Sequence, residues 1–398
     1  MPRERTTGGR GSRRRAGSSD QGAPAAQTRG GLDRRALIAA AGGAIVAGVG
    51  GEPAAAQEAR PPVASSRRID AHTHFSSLKV LEALEKEEGK PFGLGRMYRS
   101  KPALTEPAAR LAVLDRNEID MHVLVPVPWL EAFPRVVRDR TLAPQFARMM
   151  NDEIAAVVSA HPNRFRGVAL LASVDPDAMV AELHRAVKEL DFVGAYVPVG
   201  PTAKRMDHPD FEPLYRAIVE LDTMLWLHPS RPPLPDYADE KASQYQEWQQ
   251  IGWPHDTTSA MYRIVFSSVF ARHPDIRIIT HHHGGFVPYY APRLIGSWRA
   301  SEEDGIQLSD KVSRPYIDHF KKFYCDTACN AFAPKVLELA LDFFGPERML
   351  FASDTPFGAG DGQSFTGEVL RSIEAMQIAP DVRRVILSGN AQRILKIT

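Results

Sequence analysis

A parallel (β/α)8 barrel, a TIM barrel with insertions, is the fold this sequence predicts, and three observations predict it. From residue 67 onward, short β-branched runs alternate with amphipathic helical runs in eight successive units. Histidine or aspartate closes several of those runs at the C-terminal end, where a barrel gathers its chemistry. The 398 residues also suit one large domain of this kind once the first 66 are set aside. A doubly wound sheet shows the same alternation, and periodicity alone leaves it open.

The predicted strands are 67–75, 121–128, 165–173, 192–199, 224–230, 276–283, 323–328 and 349–355. Helical patterns follow near 106–119, 140–160, 175–190, 211–222, 256–273, 286–299, 333–345 and 366–377. In 211–222 the period is plain: Phe211, Leu214, Tyr215, Ile218, Val219 and Leu221 fall mostly on one stripe. Asp175-Pro176 and Asp256 read as helix starts, and Gly345-Pro346 as a stop. Insertions break the alternation at 76–105 after strand 1, at 231–255 after strand 5 and at 301–320 before strand 7. The first two follow strand C-termini, so they are expected to overhang the catalytic face as lids or selecting loops.

At 43% hydrophobic and 24% charged, the chain has ample material for a core. Its formal net charge of +1 hides an uneven distribution, because arginine dominates the first 35 residues and the remainder is mildly acidic. That leaves no nucleic-acid footprint. Residues 1–66 read as a basic leader separate from the barrel at 67–398. Arg34-Arg35 precedes an apolar, small-residue run from Ala36 to Gly51, and Ala54-Ala55-Ala56 offers a cleavage site. The arrangement resembles a twin-arginine signal, read by the export machinery of that name, although Asp33 stands where Ser or Thr is usual. The run is shorter than the ~20 apolar residues a membrane span needs, so the mature chain is expected to have no stable span. It is expected in the periplasm or secreted, or in the cytoplasm if the signal is not used.

The most informative stretch is Asp70-Ala71-His72-Thr73-His74-Phe75. Side chains i and i+2 of a strand share a face, so His72 and His74 are expected to point together. Paired imidazoles on a rigid strand end suit a divalent ion. Strand 5 ends at His228, strand 6 at His281-His282-His283-Gly284-Gly285, and strand 8 at Asp354. Each alone has an ordinary explanation, as a core histidine, a solvated turn or a cap. All of them at the C-terminal ends of strands is a different matter, since those ends converge on one mouth.

Together with Phe211-Glu212-Pro213-Leu214-Tyr215, Trp226-Leu227-His228-Pro229, His282-His283-Gly284-Gly285, Ser353-Asp354-Thr355-Pro356-Phe357 and Gly389-Asn390-Ala391, these residues resemble the amidohydrolase superfamily. The likeness is to the branch of 2-amino-3-carboxymuconate-6-semialdehyde decarboxylase and related aromatic-acid decarboxylases, and it covers 67–398. The resemblance implies one divalent metal, Zn2+ first and Mn2+ second, held by His72, His74 and His228, with Asp354 completing or bordering the coordination. It implies His282 as the active-site histidine, acting with Asp354. His281 and His283 stay open for that role, because strand alternation turns them to the face opposite His282 and a bulge could reverse the parity. Family members place a carboxylate-binding arginine after strand 1, where Arg96 and Arg99 stand. Arg231 follows strand 5, with Tyr245 and Trp253 in the same loop, and guanidinium forks and rings suit a planar carboxylated substrate. The same resemblance suggests a homodimer. Cys325 and Cys329 are expected to be buried free thiols rather than a disulfide.

A metal-activated water acting on a small carboxylated aromatic or cyclic compound, a hydrolase, is the first functional expectation. Its alternative is a non-oxidative decarboxylase (carboxy-lyase) of an aromatic or muconate-type acid. A non-catalytic metal- or ligand-binding barrel is least favoured, because every expected metal and base position is present. Metal ligands alone do not choose between hydrolysis and decarboxylation; substrate contacts do.

Overall fold

The computed structural model describes residues 67–397 apart from 128, 129 and 330, so the leader and its export signal lie outside the described residues. Eight parallel strands pair in sequence order: β1 (Ile69–Phe75), β2 (Met121–Pro126), β3 (Phe165–Leu170), β4 (Gly194–Val199), β5 (Met224–Pro229), β6 (Arg277–Thr280), β7 (Tyr324–Asp326) and β8 (Met349–Leu350). The predicted last strand, 349–355, pairs with β7 only over two residues and then crosses to β1. Ala71 N–H donates to the Phe351 carbonyl at 2.8 Å, His74 N–H to Thr355 at 2.7 Å, and Asp354 N–H to His72 at 3.2 Å. Those bonds join the first strand to the last, so the sheet is a barrel and the doubly wound alternative falls.

Helices follow each strand, and their apolar stripes cover strands that are buried along nearly their whole length. Glu212–Glu220 buries Leu214, Tyr215, Ala217 and Ile218, as its period predicts. Asp175 caps Pro176–Glu189 by accepting from Asp177 N–H at 3.2 Å and Ala178 N–H at 3.1 Å. Gly345, at φ 84°, ends Pro334–Phe344. Asp256 does not start its helix, which begins earlier as Gly252–Phe266; its carboxylate pairs with Arg231 instead. The insertion at 76–105 is largely helical (Leu78–Glu88, Gly95–Arg99, Pro102–Thr105), with Ser77 capping the first of these. An unforeseen C-terminal helical segment ends in Asn390–Leu395, and Asn390 Nδ2 donates to the Pro346 and Met349 carbonyls, both at 2.7 Å, fixing the start of β8.

The site's foundation is a buried guanidinium. Pro107–Arg116 delivers Arg110, fully buried, to β1, where Nη1 donates to Thr73 Oγ1 at 3.1 Å and Nη2 donates to the His74 carbonyl. Burial pulls its pKa down to about 9. Arg110→Leu keeps the bulk but strips donors from two buried acceptors on the strand that carries His72 and His74. It is expected to cost about 3 kcal/mol, measured as a lowered chemical-denaturation midpoint relative to the wild type.

Candidate metal centre and its surroundings

β1, β5 and the segment after β8 bring His72, His74, His228 and Asp354 together, with one donor atom from each within 4.8 Å of the others, all buried. His72 Nε2 and His74 Nε2 are 3.1 Å apart. Asp354 Oδ1 lies 3.0 Å from His74 Nε2 and 3.6 Å from His72 Nε2. His228 Nδ1–H donates to the Pro229 carbonyl at 2.7 Å, which leaves the ring's lone pair on Nε2. Burial, reinforced by neighbouring imidazoles, holds His72 and His228 well below the ordinary histidine range, so both are neutral. Burial alone would raise the Asp354 carboxyl; the imidazoles of His282, His72 and His74 outweigh it and keep the group ionised. Three imidazoles and one carboxylate are a donor set that fits a divalent cation.

The histidine triplet resolves because β6 stops at Thr280. His282 and His283 then take left-handed backbone values, φ 54° and 59°, so strand parity does not apply to them. Gly284 and Gly285 follow at φ 81° and 63°; a Cβ on Gly284 would lie 2.5 Å from Phe344 Cζ and one on Gly285 2.7 Å from the Pro254 carbonyl oxygen. The turn separates the three rings. His281 is fully buried, its ring centroid 3.6 Å from that of His72, and its Nδ1–H donates to Asp326 Oδ2. His282 keeps a partly exposed side chain with Nε2 3.9 Å from Asp354 Oδ2. Burial lowers the His282 pKa, but the Asp354 and Asp326 carboxylates more than compensate and raise it. Asp326 Oδ1 also accepts from His282 N–H at 2.9 Å and Ala328 N–H at 3.1 Å, so one carboxylate fixes the whole turn. Sequence reading missed Asp326, which closes β7 as Asp354 follows β8, the same signal on a neighbouring strand.

The loop arginines are less available than their positions imply. Arg99 forks onto Glu85, Nη2–Oε2 2.6 Å and Nη1–Oε1 3.3 Å. Arg231 forks onto Asp256, Nη2–Oδ1 2.8 Å and Nε–Oδ2 3.0 Å. Arg96 is exposed on the insertion surface. Trp253 does approach the centre, with its ring centroid 5.8 Å from that of His228 and Nε1–H donating to the Arg231 carbonyl at 3.1 Å, whereas Tyr245 points to solvent. Cys325 and Cys329 are buried free thiols. The Phe211-Glu212-Pro213 stretch is structural: Glu212 accepts from His273 Nε2 at 2.8 Å and pairs with Arg272 at 2.9 Å.

Three buried residues near the donor set carry polar groups that sequence reading did not single out. Tyr98, from the insertion after β1, and Tyr196, on β4, are buried aromatic residues, and Glu131 sits buried just beyond β2. Burial pushes the Glu131 carboxyl from its ordinary 4.5 to about 7.

The sequence profile of the family described as Amidohydrolase matches residues 69–397. The chain belongs to the amidohydrolase family. It is 30% identical over 301 residues to the gamma-resorcylate decarboxylase of Rhizobium radiobacter, covering 72% of this chain and 86% of that one. It is 26% identical over 290 residues to the 2-amino-3-carboxymuconate-6-semialdehyde decarboxylase of Dictyostelium discoideum, covering 73% and 76%. A crystal structure of a dihydroxybenzoic acid decarboxylase from Polaromonas sp. JS666, with bound manganese and the inhibitor 2-nitroresorcinol, has a TM-score of 0.66 at 27% identity, covering 83% of this chain and 97% of that one. The chain is thus an enzyme of the amidohydrolase superfamily, as the motifs implied. Among the described residues no helix is long and apolar enough to cross a membrane.

The raised Glu131 pKa has a measurable sign. The unfolded chain releases this proton near 4.5 and the folded chain keeps it to about 7, so Glu131 penalises the fold increasingly as pH rises through that window. Relative to Glu131→Gln, the wild type is expected to lose stability by about 1.4 kcal/mol per pH unit between those values and little beyond them. Denaturation midpoints of both proteins from pH 4.5 to 8 check it; parallel curves would refute the buried, protonated carboxyl.

Proposed function

We propose that this enzyme is a divalent-metal-dependent, non-oxidative decarboxylase of a hydroxylated aromatic acid. The observation that carries the proposal is the buried His72–His74–His228–Asp354 donor set at the barrel mouth, in a chain whose relatives reported above are named decarboxylases. Those relatives favour loss of carbon dioxide over the hydrolysis that the motifs alone put first. Manganese in the Polaromonas structure supports Mn2+ alongside Zn2+.

His72, His74, His228 and Asp354 would hold a divalent ion, which would supply the positive charge that attracts the substrate's carboxylate. His282 holds the proton that the ring needs. Its Nε2 lies 3.9 Å from Asp354 Oδ2 on a partly exposed side chain, and the nearby carboxylates favour its charged form. As that proton passes to the ring carbon bearing the carboxylate, the carbon–carbon bond breaks and carbon dioxide leaves, which balances charge without a redox partner. Asp326 orients His282 through its backbone and clamps His281. Full burial suits His281 to packing against His72 and leaves His282 as the proton carrier.

Full-length protein loaded with Mn2+ or Zn2+ is expected to release carbon dioxide from hydroxybenzoates and to leave lactones and amides intact. Turnover of lactones or amides without carbon dioxide release would sink the decarboxylase reading. His282→Ala is expected to lower kcat by about 10²- to 10⁴-fold while metal content by elemental analysis stays at the wild-type level. His228→Ala is expected to lose the metal itself; a variant that retained it in full would remove His228 from the ligand set.

A further inference from the structure

The wall formed by Tyr98, Tyr196 and Glu131 is used by nothing described above. The hydroxyls of Tyr98 and Tyr196 and Glu131 Oε2 are buried, and none hydrogen-bonds to a described residue. An unsatisfied buried polar atom costs roughly 1–3 kcal/mol, so several in one region call for a bound group that satisfies them. They also lie in one region beside the donor set. The Tyr196 ring centroid is 6.1 Å from that of His228. Tyr98 packs 6.3 Å from Phe357, which is itself 5.1 Å from the His74 ring. Phe92 bridges Tyr98 at 5.3 Å and Phe133, two residues after Glu131, at 5.4 Å. Electrostatically the groups are linked to one another and to the donor set: the Asp354 charge acts on Tyr98, and Tyr98 and Glu131 act on Tyr196.

We infer that Tyr98, Tyr196 and Glu131 form a specificity subsite for an uncharged ring hydroxyl of the substrate, on the part of the ring remote from the metal ligands. This rests on the reading that the centre takes an aromatic acid, and it narrows that acid's class. Each tyrosine hydroxyl gives and takes a hydrogen bond, and so does a protonated carboxyl, which matches the dual character of a phenolic hydroxyl. Among the described residues no lysine or arginine acts on Glu131. A second substrate carboxylate would be buried there beside a carboxyl without a compensating cation. The substrate is therefore a monocarboxylic, hydroxylated ring rather than a muconate-type dicarboxylate.

The test reads binding rather than turnover. 2-Nitrophenol carries a planar nitro group in place of a carboxylate and cannot lose carbon dioxide. Its Kd on the manganese-loaded, full-length protein is compared by calorimetry with those of its ring-hydroxylated derivatives and of 4-hydroxy-3-nitrobenzoate, which adds a carboxylate. At least one hydroxylated derivative is expected to bind about 10- to 100-fold tighter than 2-nitrophenol. That ratio is expected to collapse toward one in Tyr196→Phe and Glu131→Leu and to survive in Glu131→Gln, which keeps a donor and an acceptor. Should Glu131→Leu not fold, Tyr98→Phe takes its place. A wild-type ratio near one, or a ratio unchanged in the tyrosine and leucine variants, overturns the subsite and leaves ordered water as the partner of these groups. Tighter binding of the added carboxylate overturns it too. Carbon dioxide release is scored separately, so a preserved ratio without decarboxylation condemns the reaction and not the subsite, and decarboxylation with a ratio of one does the reverse.

Discussion

The hydrogen bonds that join β1 to the segment after β8 are the constraint on which the centre depends. His72 and Asp354 come from opposite ends of the folded chain, yet Asp354 N–H donates directly to the His72 carbonyl at 3.2 Å. Asp70 Oδ1 reinforces this seam by accepting from His72 N–H at 3.3 Å and from Ser353 N–H, 283 positions away, at 3.1 Å. Asp354 sits in the left-handed region at φ 61°, which a short polar side chain tolerates. Barrel closure thus fixes the spacing of the candidate donors through the backbone.

Electrostatics then follow from burial. A barrel mouth crowded with imidazoles cannot hold several imidazolium charges, and both desolvation and mutual repulsion drive His72, His228 and His281 to their neutral, electron-donating forms. Asp354 stays anionic because those rings surround it. His282 differs because it leaves the strand, keeps some exposure and faces two carboxylates. One short turn therefore sorts three adjacent, chemically identical residues into different roles through backbone conformation and local charge.

Much of this was legible in the sequence. Strand and helix periods gave the eight alternating units, because covered parallel strands and amphipathic helices differ in period whatever their neighbours; closure into a barrel is decided by the bonds from β1 to the segment after β8. The grouping of His72, His74, His228 and Asp354 was legible because all four lie at strand C-termini, which the topology forces together. Orientation within His281–His283 was not, since parity fails where β6 ends at Thr280. The helix Leu78–Glu88 was passed over within the 76–105 insertion, although Val80, Leu81 and Leu84 carry a helical spacing. Arg99 and Arg231 looked available because nothing local reveals partners 14 and 25 positions away. Tyr98 and Tyr196 drew no notice for the same reason: only the folded chain shows whether a buried tyrosine hydroxyl is satisfied.

The commitment of those arginines bears on how a substrate can sit. With Arg99 and Arg231 neutralised by Glu85 and Asp256, neither fork is open to a carboxylate, and either pair would have to break, at a cost, to receive one. On the proposed reading, the donor set, once it holds a cation, is the natural anchor for a substrate's negative charge. A carboxylate held there would leave the ring edge for Tyr98, Tyr196 and Glu131 and the carbon–carboxylate bond for His282, whose Nε2 lies 3.9 Å from Asp354 Oδ2. A hydrolytic substrate would instead need its scissile carbonyl at the centre and its anionic group elsewhere, where Arg99 and Arg231 are already paired. On this reading, orientation by charge rather than the identity of the metal ligands separates the two chemistries.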